Sequence, residues 1–130
     1  MKYLIDANII IDHLKGKPSK VSLLQSIGSQ GLCTSVISVG EILEGLVGQP
    51  KEEQRRGDLE TFLKATKLLD IDRKIVEMFA RVRSNLRSRG KLIENFDILI
   101  AATALAHNLV LVTVDKDFEK VEGLKLKSIR

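Results

Sequence analysis

The sequence predicts an α/β fold, a three-layer α/β/α domain around a central, mainly parallel sheet. Three observations point there. Short apolar runs containing β-branched residues alternate with helical patterns, the arrangement that βαβ units produce. The 130 residues, 44% of them hydrophobic, suffice for one core, so residues 1–130 are expected to form a single domain. Four acidic residues stand at the turn ends of four separate predicted elements. In a parallel α/β sheet, strand C-termini and helix N-termini collect on one edge, where sites form.

The elements follow in order. Residues 2–6 read as a strand, Tyr3-Leu4-Ile5, ending at Asp6. Asn8 to Leu14 reads as a helix with Ile9, Ile10, Ile11 and Leu14 apolar, stopped near Gly16 and Pro18. A second short helix runs from Ser19 to Ile27 and breaks at Gly28. Residues 31–34 give a strand, and Ser38 to Val47 a helix that ends before Gly48 and Pro50. The charged stretch 51–67 is helical with Leu59, Phe62 and Leu63 as its apolar contacts. Leu68 to Ile71 is a brief strand. Asp72 caps a long helix whose Ile75, Phe79, Val82 and Leu86 fall on one face, and Gly90 stops it. The loop 91–94 leads to the apolar helix 96–107 and the strand 109–114. A helical turn at Phe118 to Val121 and a last strand, Leu124 to Lys127, complete the set. No repeat, low-complexity tract or linker interrupts it.

Composition narrows the function classes. Apolar stretches such as Ile98 to Ala106 fall far short of the roughly 20 residues a membrane span needs. The N-terminus enters a strand at once, which argues against a cleavable signal peptide, and Cys33 alone cannot build a disulfide or a Cys-rich zinc site. A cytoplasmic protein without a membrane partner is expected. The net charge is +4 and the pI about 9.3. Setting four acids aside as ligands leaves 17 − 4 = 13 against 21 Lys and Arg, so the rest carries +8. A basic body around an acidic pocket suits phosphodiester chemistry.

The four acids are Asp6, Glu41, Asp97 and Asp115. Each has a local role available. Ser38-Val39-Gly40-Glu41 fits a capping box, Asp97 favours the dipole of its helix, and Asp6 and Asp115 stand where turns and caps prefer Asp. Four together are harder to explain locally, because clustered carboxylates repel unless a cation joins them. Oxygen-only ligands suit Mg²⁺ or Mn²⁺. Asn8, Ser38 and Thr113 are short polar neighbours suited to orienting a carboxylate or a bound water, with a turn or cap role as the leading reading for each. Asp117 is a further supporting carboxylate or the cap of the turn Phe118 to Val121; Asp12, Glu44 and Glu94 read as decoys. Arg87, Arg89 and Lys91 lead into Asp97 and are expected to contact phosphates, with a solvated helix face as the alternative. Aromatics are few, one Tyr and four Phe, so any RNA grip should be mainly electrostatic. Ile10, Leu14, Leu24 and Ile27 exceed what one face of so short a segment needs, and are expected to line a partner groove or a dimer seam. His13 and His107 form no catalytic or metal constellation.

Four motifs in order carry a resemblance: Leu4-Ile5-Asp6-Ala7-Asn8, Ser38-Val39-Gly40-Glu41-Ile42-Leu43-Glu44-Gly45, Phe96-Asp97-Ile98-Leu99-Ile100-Ala101-Ala102-Thr103-Ala104, and Leu111-Val112-Thr113-Val114-Asp115-Lys116-Asp117-Phe118. From Lys2 to about Leu126 the chain resembles PIN-domain ribonucleases, most closely the VapC-type toxins of toxin–antitoxin pairs. The family's acidic quartet falls on Asp6, Glu41, Asp97 and Asp115, and its small polar residues on Asn8, Ser38 and Thr113. Ala7 stands where the family often has Thr, and Ser38 where Thr is commoner. The resemblance implies a PIN-like fold and an endoribonuclease using Mg²⁺ or Mn²⁺, one or two ions per site. It also implies an RNA substrate, a homodimer and a cognate VapB-type antitoxin. The alternatives are a housekeeping PIN nuclease and a non-catalytic RNA-binding module. A haloacid-dehalogenase phosphatase would want a second Asp where Asn8 stands.

Overall fold

Apolar runs of three or four residues become strands and the longer periodic segments become helices. The computed structural model describes residues 2–128. Met1, Ile129 and Arg130, part of the expected domain, lie outside the described residues. The strands are β1 (Tyr3–Ile5), β2 (Leu32–Ser35), β3 (Lys67–Leu69), β4 (Val110–Thr113) and β5 (Lys125–Ser128). The helices are α1 (Ala7–Leu14), α2 (Pro18–Ile27), α3 (Val36–Leu46), α4 (Glu52–Lys64), α5 (Arg73–Ser88) and α6 (Asn95–Ala106). Short 3₁₀ turns occupy Gly28–Gln30 and Lys116–Lys120.

The strands lie in the order β3-β2-β1-β4-β5, and each described pairing is parallel. Leu4 of β1 sits opposite Cys33 on one side and Leu111 on the other. Alternation sorts side chains between two layers. Leu4 and Leu111 join helices α5 and α6 through Val82, Leu86, Ile98, Ile100, Ala101 and Ala104. Tyr3, Ile5 and Val112 face the opposite layer of α1 to α4, meeting Ile9, Ile10, Leu24, Ile42 and Leu59. The chain runs from β1 outward to β3, then returns to β4 on the other flank of β1. That reversal makes the β1–β4 boundary the switch point, where a crevice opens beyond the strand C-termini.

Helix ends show where local chemistry was read well and where it was not. Asp72 Oδ1 accepts from the Ile75 N–H at 3.0 Å, and Gly90 (φ 66°) ends α5 in the left-handed region, as expected. The cap of α3 is Ser35, whose Oγ accepts from the Ile37 N–H at 3.0 Å. The expected Ser38–Glu41 capping box is therefore not formed. Val36 and Ile37 continue the helix upstream, which puts Ser38 inside its first turn and Glu41 in its second. Asp115, not Asp117, caps the 3₁₀ turn, its Oδ1 accepting from the Asp117 N–H at 2.9 Å. The expected surface groove of Ile10, Leu14, Leu24 and Ile27 is also corrected: Ile10, Leu24 and Ile27 are buried in the α1–α4 layer, and Leu14 is half-buried against it. Helices packed on two sides need more than one apolar face.

Candidate active site

Beyond the C-terminal ends of β1 and β4, the backbone fixes the first pair of acids. Asp6 follows β1, caps α1 and is 5% exposed. The Ala7 N–H donates to its Oδ1 at 2.8 Å and the Thr113 hydroxyl donates to its Oδ2 at 2.7 Å. Thr113 ends β4, and its oxygen accepts from the Asp115 N–H at 3.0 Å. One hydroxyl thus ties Asp6 to the turn that carries Asp115. Burial pushes the Asp6 carboxyl up, the two hydrogen bonds pull it down, and the Asp115 charge pushes it up again.

The other two acids come from helices. Asp97 sits half-buried in the first turn of α6, and Glu41 half-buried in α3. Burial, then the Asp6 charge, raises Glu41. Asp97 is pushed up to about 7, first by burial, then by Asp6, Asp115, Glu41 and Asp117. Every other acid of the expected quartet acts on it, so the fold brings all four into one electrostatic neighbourhood. Among the described residues, no three His, Cys, Asp or Glu side chains already stand around one ion-sized point. Their repulsion opposes closer approach without a counter-charge. The donor chemistry fits a hard divalent cation, since the convergent groups are oxygens. A second sign is Ser38, whose buried Oγ has no hydrogen-bond partner. Such orphans are uncommon in native interiors and mark a place for a ligand or water.

The remaining sequence candidates divide. Asn8 is exposed on α1 and lines a cleft of about 600 Å³ with Glu41. Asp117 is half-buried, salt-bridged to Lys120 Nζ at 3.1 Å, and close enough to raise Asp97. Arg89 is engaged by its own fold: its Nη2 donates to the Lys120 carbonyl at 2.6 Å and its Nε to Asn85 Oδ1 at 3.0 Å, with Glu122 at 3.5 Å. These bonds make it a clasp within the fold, which leaves Arg87 and Lys91 as the phosphate candidates without such partners shown. Arg87 and Lys91 remain exposed at the end of α5. His13 packs on Phe62, ring centroids 5.3 Å apart, away from the chemistry.

Three residues escaped the sequence reading. Glu44 lines the cleft one turn after Glu41, a neighbour that the i,i+3 spacing signals. Arg83 is half-buried, its Nε donating to Asn95 Oδ1 at 3.1 Å beside the first turn of α6. Phe96 lines the same cleft although Ile100, one turn on, is fully buried. Periodicity alone would have buried both.

Comparison with known proteins agrees with this geometry. The PIN domain family profile matches residues 3–124. Ribonuclease VapC2 of Haemophilus influenzae is 31% identical over 129 residues, 98% of each chain. The tRNA(fMet)-specific endonuclease VapC of Shigella flexneri is 28% identical over 126 residues, 96% of each. Among solved structures, VapBC2 from Rickettsia felis bound to a DNA fragment from its promoter matches with a TM-score of 0.92 at 28% identity, covering 100% of both chains. With the family profile spanning both halves of the sheet and all four acids, the chain belongs to the PIN-domain family, among its VapC ribonucleases.

Proposed function

We propose that this ribonuclease is the toxin of a toxin–antitoxin pair and hydrolyses RNA with Mg²⁺ or Mn²⁺ held by Asp6, Glu41, Asp97 and Asp115, with one or two ions per site. The observation that carries the metal reading is the raised Asp97 carboxyl, which burial first and then four neighbouring acids make costly to ionise in the absence of a counter-charge. When bound, a divalent ion lowers the pKa of water and neutralises charge developing on a phosphoryl group.

The chain's own groups prepare that chemistry. Two hydrogen bonds fix the Asp6 carboxylate, so it enters the site without rotamer loss. Thr113 holds the Asp6 and Asp115 carriers in register, and Ser38 offers a free hydroxyl to a water or a carboxylate. Exposed Arg87 and Lys91 attract the RNA backbone. In this reading water supplies the nucleophile: its oxygen bonds to phosphorus as the bond to the 3′-oxygen breaks. The products end in 5′-phosphate and 3′-hydroxyl.

Partners are read from two relatives, the Rickettsia felis VapBC2 bound to a DNA fragment from its promoter and a Mycobacterium tuberculosis member of the VapBC family of toxin–antitoxin systems. A VapB-type antitoxin and a homodimer are proposed for this chain, working in the cytoplasm. An apolar groove of about 300 Å³ between α1, α3 and α4, lined by Ile11, Leu14, Ile42 and Leu46 with Lys15 and Arg55 beside them, suits an amphipathic acidic segment. The deciding experiment is end analysis of a cleaved RNA panel that includes initiator tRNA. Metal-dependent cuts with 5′-phosphate ends support the mechanism. Products with 2′,3′-cyclic phosphate, formed equally well in EDTA, would sink it.

A further inference from the structure

Four of the five aromatic side chains are buried or half-buried: Tyr3, Phe62 and Phe118 lie in the core and Phe79 packs against it. Phe96 is 57% exposed. A single exposed apolar side chain is ordinary on a protein surface. Its place is what matters. Phe96 directly precedes Asp97 in the first turn of α6 and forms a wall of the cleft that also contains Asn8, Glu41 and Glu44. The cleft floor is apolar, with Ala7, Ile11, Val36 and Ile37, and its volume of about 600 Å³ has room for a nucleobase. The Arg83 Nε donates at 3.1 Å to Asn95, the residue that precedes Phe96 in the chain.

We infer that Phe96 is a specificity-determining residue whose ring stacks on an unpaired base of the RNA next to the cut phosphate. This rests on the ribonuclease reading above. A phosphate positioned among the four acids must send at least one of its flanking nucleotides along the cleft, because Glu41 belongs both to the acidic group and to the cleft wall. Base edges find few polar partners on an apolar floor, whereas any base offers a face to an aromatic ring. The grip is therefore tolerant of base identity and selects for single-stranded, unstacked RNA. Glu44 and Glu41 at the rim repel a second phosphate, which leaves a base as the group that enters.

Steady-state cleavage of a short single-stranded RNA by the wild type, Phe96→Ala, Phe96→Leu and Phe96→Tyr tests this, using substrates that lack one base at a time around the cut. The Ala and Leu variants should raise KM by about tenfold with kcat little changed, and Tyr should restore it. At one position the missing base should penalise the wild type and leave Phe96→Ala unaffected. Equal penalties in wild type and Phe96→Ala at every position overturn the stacking role while leaving the ribonuclease reading intact. A wild type that cuts no RNA, when circular dichroism shows it folded and metal is present, overturns both. Loss of the dimer in Phe96→Ala with unchanged base penalties assigns the ring to a protein interface instead, and overturns stacking too.

Discussion

Asp97 shows how a carboxyl can be held in a place that costs the fold stability. In the metal-free fold its carboxyl keeps a proton to about pH 7, while the unfolded chain releases it near 3.8. Between those values the native state binds more protons, so stability falls as pH rises through the window and stays low above it. Asp97→Asn should therefore raise the metal-free Tm at pH 8, by an amount corresponding to about 1–2 kcal/mol once screening at a half-exposed site is allowed for. The gain should vanish near pH 4. Saturating Mn²⁺ should reverse the ranking, because only the wild type binds the ion tightly. Differential scanning calorimetry at the two pH values, with and without Mn²⁺, checks both. No gain at pH 8 would mean that burial and the neighbouring acids together do not oppose ionisation of Asp97. Ser38 behaves similarly. Its unpaired hydroxyl contributes nothing to the fold, so Ser38→Ala should leave the metal-free Tm unchanged or slightly higher. Mn²⁺ affinity should drop about tenfold, as when a group supporting ligands is lost. Titration calorimetry reads this directly, and undiminished affinity would detach Ser38 from the site.

At the level of elements, the start of α3 and the end of α5 set the positions of the site residues they carry. Ser35 caps α3, and Glu41 rides on that helix. Ser35→Ala should cost about 1 kcal/mol in denaturant unfolding, a penalty that Ser38→Ala lacks. Equal effects of the two substitutions would restore the capping box expected from the sequence. The three cations near the end of α5 separate the same way. Arg89 clasps Asn85 and the Lys120 carbonyl, so Arg89→Ala should lower Tm. Arg87 and Lys91 are exposed, and removing both should leave Tm unchanged while reducing the salt slope of single-strand RNA binding by ~1.4, or ~0.7 per cation. An unaltered slope would identify them as solvated surface.

For the whole molecule, the parallel sheet couples the two apolar layers to the site. Leu111 is fully buried beside Leu4, in the strand that ends at Thr113. Leu111→Ala should cost about 2–5 kcal/mol, measured by urea unfolding. It should also impair Mn²⁺ binding, because Asp6 and Asp115 are joined through that strand's last residue. Destabilisation with intact metal affinity would show that the sheet edge tolerates repacking of the core. Among the described residues no helix is long and apolar enough to cross a membrane. A net charge of +4 favours long-range attraction for a polyanion over repulsion.

The sequence by itself determined the alternation of strands and helices, the four acids and the fold family, because each is written in local patterns. An apolar run of three or four residues, a capping Asp at position 72 and a stopping Gly at position 90 act over a few residues and need no distant partner. The tertiary structure decided the rest. Ser38 lost its expected cap because Val36 and Ile37 extend the helix upstream, and its buried hydroxyl was left without a hydrogen-bond partner. Arg89 was tied to the fold by a carbonyl 31 residues away in sequence. Thr113 reached Asp6 across 107 residues because β4 returns to the flank of β1. Phe96 was left at the surface while Ile100 was buried, since the first turn of α6 stands beside the acids at the crevice. Burial, charge coupling and strand order depend on contacts between segments far apart in the chain, and a linear pattern carries no record of which segments meet.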